Sequence, residues 1–255
     1  MRFFLTDLHI HTVLSACAEA EMLPELIVGR AQELGLDLIA VTDHNSAENA
    51  AAVVAAAQSA GIAVLPGMEL QTREEVHLLC LFDTLEQVAR WQDEVYAHLP
   101  DLKNKEDVFG AQVVLDATGE PLGYNDRLLL TSTSFSLEEA VQRVRNLGGI
   151  CIPAHVDRPA YSVIANLGFI PFDLEIAGVE ISSLVGAEEA RARFPQLARY
   201  GLVANGDAHR LQEISRRTTL RMKAPTVSEL TLALAGVGER GVWVDGIRAV
   251  GQEVS

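Results

Sequence analysis

Residues 3–12 read Phe3-Phe4-Leu5-Thr6-Asp7-Leu8-His9-Ile10-His11-Thr12, an apolar, β-prone run that closes on two histidines two positions apart. A strand turns residues i and i+2 to one face, so two imidazoles at this spacing can converge on a single ion. Alone, the pair suits core or surface histidines equally well, so its surroundings decide. Phe3–His9 is the first of seven strand candidates; the others are Asp37–Asp43, Ile62–Met68, Val76–Phe82, Gly149–Ala154, Gly178–Ile181 and Leu202–Asn205. Helical patterns fall between them. Pro24 stands where a helix accepts its first residue and Gly35 just past the end, with Ile27, Ala31 and Leu34 as the apolar stripe. A second helix is expected over about Ser46–Ala60, stopped by Gly61. Ser136 with Glu139 forms a capping box for a third, which ends at Gly148-Gly149. The alternation is the βα signature of a parallel sheet or barrel.

One interval breaks the rhythm. Between Phe82 and Ser136 a helix-like piece, Leu85–His98, precedes a polar stretch from Pro100 to Asp107. Ala111–Leu115 and Leu128–Thr131 then flank Thr118-Gly119-Glu120-Pro121, which reads as a hairpin. This segment, about 83–135, is expected to be inserted between the fourth and fifth strands. A lid, a rim element, an oligomer contact and a surface excursion without catalytic part are the readings open to it.

The chain has 255 residues, 49% of them apolar, enough for one large domain spanning 1–255. Its longest apolar stretch is the alanine-rich run Ala50–Ala57, too short to cross a bilayer. Asp7 and His9 stand where a secretory apolar segment would lie, so no signal peptide is expected. Cys17, Cys80 and Cys151 make an odd count without paired spacing, which suits a reducing cytoplasm. Twenty basic residues against thirty-five acidic ones give a formal charge of −15, which argues against a long nucleic acid or an anionic membrane as partner.

Six of the seven histidines fall at strand ends in this reading: His9, His11, His44, His77, His155 and His209, with His98 on a helix. In a βα barrel the carboxyl ends of the strands converge on one face. His77 fits least well, because it opens its strand. Asp207 and His209 repeat the i, i+2 spacing with a carboxylate, and Glu69 follows Gly67 at the end of the third strand. Singly, each has an ordinary reading: a packed histidine for His44, an N-cap for Asp43, an exposed rim carboxylate for Glu69. Together, six imidazoles with Glu69 and Asp207 on one face would pack poorly without metal, and they suffice for two or three divalent ions.

The segments D-L-H-x-H-T (7–12), T-D-H (42–44), P-G-x-E (66–69) and D-A-H (207–209), in this order, resemble the PHP (polymerase and histidinol phosphatase) domain. The resemblance runs from Arg2 to about His209. It implies an α/β fold, a distorted (βα)7 TIM-like barrel, with a trinuclear metal centre that hydrolyses phosphoesters by a metal-bridging hydroxide. It further implies that His9, His11, Glu69 and Asp207 hold one ion, His44 and His209 a second, and His77 and His155 a third, with Glu69 bridging the first and third. One stretch departs from the family. Where an aspartate usually completes the second ion, this chain has Ser15-Ala16-Cys17-Ala18-Glu19-Ala20-Glu21. Cys17 as a thiolate ligand, Glu19 or Glu21 in its place, and a buried structural Cys17 are the alternatives.

The expected activity is therefore metal-dependent phosphoester hydrolysis on a small phosphorylated metabolite, with zinc, manganese or iron as the metal. Arg158, three residues after His155, and Arg210, beside His209, are the candidates for gripping phosphate with a planar fork. Three divalent ions would return about +6 to the metal face, so an acidic chain can still take a small anion. An amidohydrolase-type C–N hydrolase shares the H-x-H start, but the only lysines, Lys103, Lys105 and Lys223, lie off the expected barrel strands. A non-catalytic, metal-binding regulatory module is the third reading, motivated by the altered Cys17 stretch. Oligomeric state is left open by the sequence.

Overall fold

A computed structural model describes residues 1–245, so the single-domain expectation for 1–255 includes residues 246–255, outside the described ones. In chain order, the first half holds β1 (Arg2–Ile10), α1 (Pro24–Leu34), β2 (Leu38–Val41), α2 (Ala50–Gln58), β3 (Ala63–Gln71), β4 (His77–Leu81), α3 (Leu85–His98), α4 (Glu106–Phe109), β5 (Val113–Leu115) and β6 (Pro121–Tyr124). The second half holds α5 (Leu137–Asn146), β7 (Ile150–Pro153), α6 (Val163–Leu167), β8 (Val179–Ile181), α7 (Ala187–Arg193), β9 (Leu202–Ala204), β10 (Thr218–Met222), α8 (Val227–Leu234) and β11 (Gly241–Val244).

A curled sheet of seven strands runs in the order β11-β10-β1-β2-β3-β4-β7, and β8 and β9 form a parallel pair. The pair is tied to both ends of the sheet. Ala177 N–H donates to Cys151 O at 3.0 Å and Val156 N–H to Glu180 O at 2.8 Å, while Ala204 N–H donates to Thr218 Oγ1 at 2.8 Å. Inside the curl, Phe4, Leu8, Leu38, Ala40, Leu65, Leu79, Ile152 and Val203 pack with Leu230 and Leu234 of α8. Alternate residues point the other way, as strand geometry requires. Ile39 and Val41 face α1 and α2, and Leu78 and Cys80 join Trp91, Phe135 and Val144 beneath α3 and α5.

The sheet is mixed rather than wholly parallel. β1, β2 and β3 are parallel, but β4 lies antiparallel to both β3 and β7, and β10 antiparallel to β1. The reason is the connection. Only Thr72–Val76 separates β3 from β4, closed by Thr72 N–H donating to Val76 O at 2.9 Å. Parallel neighbours need a crossover of about a dozen residues or more. β10 and β11 carry no sequence expectation.

The capping box at Ser136 forms as read, with Glu139 N–H donating to Ser136 Oγ and Ser136 N–H to Glu139 Oε2. α1 and α3 match their expected spans, whereas the second helix begins later, at Ala50. In the 83–135 segment the hairpin exists, but its second strand is Pro121–Tyr124 and not Leu128–Thr131. Asp116 N–H donates to Glu120 O at 2.9 Å, so the turn closes tightly and pairing resumes at Pro121. The carbonyls of Leu129 and Thr131 instead accept from Asn45 Nδ2, at 2.8 and 2.7 Å. Val113 N–H donates to Val13 O at 3.0 Å, so this segment rests on the loops that follow β1 and β2. No helix among the described residues is long and apolar enough to cross a membrane.

Candidate metal centre

The loops at one end of the curl gather the six histidines and two carboxylates. β1 delivers His9 and, just past its end, His11; the loop after β2 delivers His44, which bridges to Glu69 of β3. His77 opens β4, and antiparallel pairing sets it opposite Gln71, level with the end of β3. That register explains why a strand's first residue joins a cluster of last ones. His155 follows β7, and Asp207 and His209 follow β9. Asn45, His155 and Asp207 adopt left-handed backbone at φ +49°, +31° and +48°, a strain that concentrates at sites held by their surroundings.

Glu69 is the hub. Its Oε1 lies 2.8 Å from His77 Nδ1 and 3.3 Å from both His9 Nε2 and His155 Nε2. Its Oε2 lies 2.9 Å from His44 Nδ1 and 3.3 Å from His11 Nε2. Asp207 Oδ1 lies 3.2 Å from His9 Nε2, 3.3 Å from His11 Nε2 and 3.6 Å from His209 Nδ1. Three sets have donor atoms within 4.8 Å of one another: His9, His11, Glu69 and Asp207; His11, His44 and His209; and His44, Glu69 and His77. The first is the four-residue set expected for one ion. The expected partners His44 and His209 share the second. His77 groups with His44 rather than with His155, although both His77 and His155 reach the same oxygen of Glu69.

Divalent metal fits this donor set. His9 Nε2 and His11 Nε2 face each other at 3.1 Å, an arrangement of ring nitrogens that a shared cation satisfies. His155 Nδ1 is buried without a hydrogen-bond partner. Burial alone would raise the Glu69 carboxyl, but the charges of His77, His9 and His44 hold it well below the usual range. Burial likewise opposes a charged His9, yet Glu180, Asp207 and Glu69 outweigh it and raise this imidazole well above its ordinary value. His11 reaches about 9 in the same way, with Asp207 and Glu69 overcoming burial. His209, desolvated and beside His11, falls to about 3. A cation would draw on the same carboxylate charge and displace those protons.

Several supporting residues stand outside the expected ligand set, Glu180 outside the motifs altogether and Asp7 and Asp43 within them. Glu180, buried in β8, accepts from His9 Nδ1 at 3.0 Å, from His155 N–H at 3.1 Å and from Asn205 Nδ2 at 3.1 Å. It thus orients two of the imidazoles from behind. Asp7, two residues before His9 on β1, accepts from the backbone N–H groups of Gly206 and Ser215; burial lifts it to about 6 despite these bonds. Asp43 does not cap α2. It is buried, accepting from Thr12 N–H at 2.7 Å and Ser15 Oγ at 2.7 Å, and Ser15 Oγ also lies 3.0 Å from His11 Nδ1. Glu69, read singly as a rim carboxylate, is likewise buried.

The altered stretch resolves in part. Cys17 is exposed, which corrects the buried structural reading, and its side chain lies near enough to His44 to help raise that imidazole. Glu19 is occupied by Arg210, whose Nε lies 2.8 Å from Glu19 Oε1. Arg210 therefore faces a carboxylate and does not line the cleft. Arg158 does, with Nη1 2.6 Å from Asp207 Oδ2. The cleft above the cluster has a volume of about 380 Å³, and Pro159, Ala160 and Tyr161 form one of its walls.

The PHP domain family model matches residues 7–109, a stretch that takes in the segments from His9 to His77. No curated protein matches the chain. Among solved structures, it is similar to the lesion-specific endonuclease PfuEndoQ of Pyrococcus furiosus, at 19% identity and a TM-score of 0.69, covering 94% of this chain and 58% of that one. The chain thus spans little more than half the length of that enzyme. It is also similar to a candidate metal-dependent phosphoesterase of Bifidobacterium adolescentis (19% identity, TM-score 0.55, 80% of this chain and 87% of that one). A third likeness is to an amidohydrolase of Chromobacterium violaceum (20% identity, TM-score 0.54, 80% and 87%). At these identities the likeness is one of fold. The charge argument against long nucleic acid is overturned here, because endonuclease Q, of the same fold, has been solved with a 27-mer duplex whose abasic lesion lies at its active site. Net charge averages over the whole surface, whereas a phosphate meets only the local field at the metal face.

Proposed function

We propose that the protein is a metal-dependent hydrolase of phosphoesters. The observation that carries this reading is the convergence of five imidazoles on the two oxygens of buried Glu69, beneath a cleft that also presents Arg158. His9, His11, Glu69 and Asp207 would hold one divalent ion, His44 and His209 a second with Cys17 beside them, and His77 and His155 a third that shares Glu69. Zinc, manganese and iron all suit imidazole and carboxylate donors, and a thiolate from Cys17 would favour zinc or iron. Bound there, such ions polarise a phosphoryl oxygen and lower the pKa of water.

The chain's own groups then divide the work. Glu180 fixes the ring of His9 and the backbone of His155. The Ser15–Asp43 pair fixes His11. Arg158 spends one guanidinium nitrogen on Asp207 and keeps its remaining N–H groups for a phosphate oxygen. Phosphate gripping belongs to Arg158 rather than Arg210. The cleft has room for a phosphate and a metabolite-sized leaving group, which supports a small phosphorylated substrate. The likeness to endonuclease Q favours a second reading, a nucleic-acid strand entering by one phosphodiester. The amidohydrolase reading gains nothing from the lysines: Lys103 pairs with exposed Asp126, and Lys223 follows β10.

The test is metal analysis joined to a product screen on protein loaded with zinc, manganese or iron. Sugar phosphates, nucleotides, histidinol phosphate and a duplex with an abasic site are offered beside an amide panel. Phosphoester cleavage that His9→Ala abolishes, in a variant that still unfolds cooperatively, supports the proposal. Turnover of amides only, or a metal-loaded protein silent on every phosphoester, overturns it.

A further inference from the structure

Tyr161 has no part in the arrangement above, yet it forms a wall of the same cleft. Its ring lies nearly parallel to that of His77, with centroids 4.8 Å apart and planes 22° apart. The side chain is still 47% exposed, so with one face against His77 the rest of the ring is open to the cleft. Its backbone sits at φ +55°, which bulky residues rarely adopt. That conformation is held from both sides: Tyr161 O accepts from His77 N–H at 3.0 Å, and Ser162 Oγ donates to Arg158 O at 2.7 Å while capping α6. Asp157, at the start of the loop, is clamped by Ser182 through two bonds of 2.6 Å. The phenol is therefore presented by a braced loop, with apolar Pro159 and Ala160 between it and Arg158.

The cleft thus has two chemically distinct sides. Charge and donors for phosphate lie over Glu69, Asp207 and Arg158. A flat, uncharged platform lies over His77. We infer that Tyr161 is a specificity-determining residue that stacks on a planar aromatic ring carried on the alcohol side of the phosphoester. This rests on the phosphoesterase reading and adds the class of leaving group. An aromatic ring laid on another in a site of this kind gains about tenfold in affinity over an aliphatic group of similar size, within the range of measured ring-stacking effects. A merely structural role, propping His77, would not distinguish an aromatic ring from an aliphatic one.

The experiment compares phenylphosphonate with cyclohexylphosphonate, two phosphonates that cannot be hydrolysed, by calorimetry on the metal-loaded protein. The wild type is expected to prefer the phenyl compound about tenfold. Tyr161→Phe should keep that preference, and Tyr161→Leu should abolish it with metal content unchanged. Equal affinities in the wild type, or an undiminished preference in Tyr161→Leu, would overturn the inference while leaving the phosphoesterase reading intact. So would a Tyr161→Leu protein that loses metal and binds both compounds equally weakly, which is the signature of a prop. Binding of neither phosphonate by the wild type would remove the phosphoesterase reading and the inference with it.

Discussion

Glu180 shows how a single carboxylate can matter to a metal centre without touching the metal. Its two oxygens meet His9 Nδ1, the His155 N–H and Asn205 Nδ2, so it sets both ring orientation and tautomer. Replacing it by its neutral isostere, Glu180→Gln, should lower metal affinity by about 10–100-fold, the usual cost of losing such a partner. A chelator-competition titration reads this directly, and unchanged affinity would mean that the His9 ring is held by packing alone. Cys17 makes the opposite kind of claim, that an exposed thiol beside His44 reaches an ion. Cys17→Ala should reduce metal content by a fraction of an equivalent to one equivalent, and full retention would make the thiol a bystander. Of the eight ligand candidates, His9, His11, Asp207 and His209 stand out in the sequence by their i, i+2 spacing at strand ends. Glu180 carries no such signal, and Asp43, though inside the T-D-H segment, reads singly as a helix cap. A carboxylate supporting an imidazole from behind has no spacing rule, since its partners come from other strands.

At the scale of elements, what the sequence concealed was direction. Strand positions follow from apolar runs and turn residues, and all seven expected strands exist, but a run of β-prone residues reads the same in either direction. The five-residue link between β3 and β4 was the available clue, and it is what brings His77 to the metal end. The 83–135 segment now has a concrete mechanical role as well. Asn49 donates through Nδ2 to Thr12 Oγ1 at 2.9 Å and to Val113 O at 3.0 Å, and accepts from Leu115 N–H at 2.8 Å. One buried amide thus links the loop after β1 to the hairpin. Asn49→Ala leaves buried backbone groups of β5 unpaired and should cost about 1–3 kcal/mol. Chemical denaturation measures the loss, and a change below a few tenths would show that water replaces the amide.

Across the whole molecule, stability and metal loading are one equilibrium. Ions that bind the folded chain but not the unfolded one add about 2.7 kcal/mol at a hundredfold excess over Kd, so chelator treatment should lower the melting temperature and readdition restore it. A melting curve indifferent to chelator would separate the fold from the centre. Loading should also release protons. His11 and His44 are each held at about 9, burial being outweighed at His11 by Asp207 and Glu69 and at His44 mainly by Glu69. Below that range protons therefore compete with the cation, and apparent affinity rises with pH. Calorimetry in buffers of different ionisation enthalpy counts the protons displaced at neutral pH, and a count of zero would mean that these rings bind no metal.

The bridge between Ile10 and Ala208 sets the start of the chain against a segment made much later. His9 and His11 stand far ahead of Asp207 in the sequence, yet the set proposed for the first ion includes all three. A nascent chain that has not yet reached Asp207 can therefore offer only an incomplete set of these donors. Assembly of that donor set is consequently a late event in synthesis, possible only after Asp207 has been made.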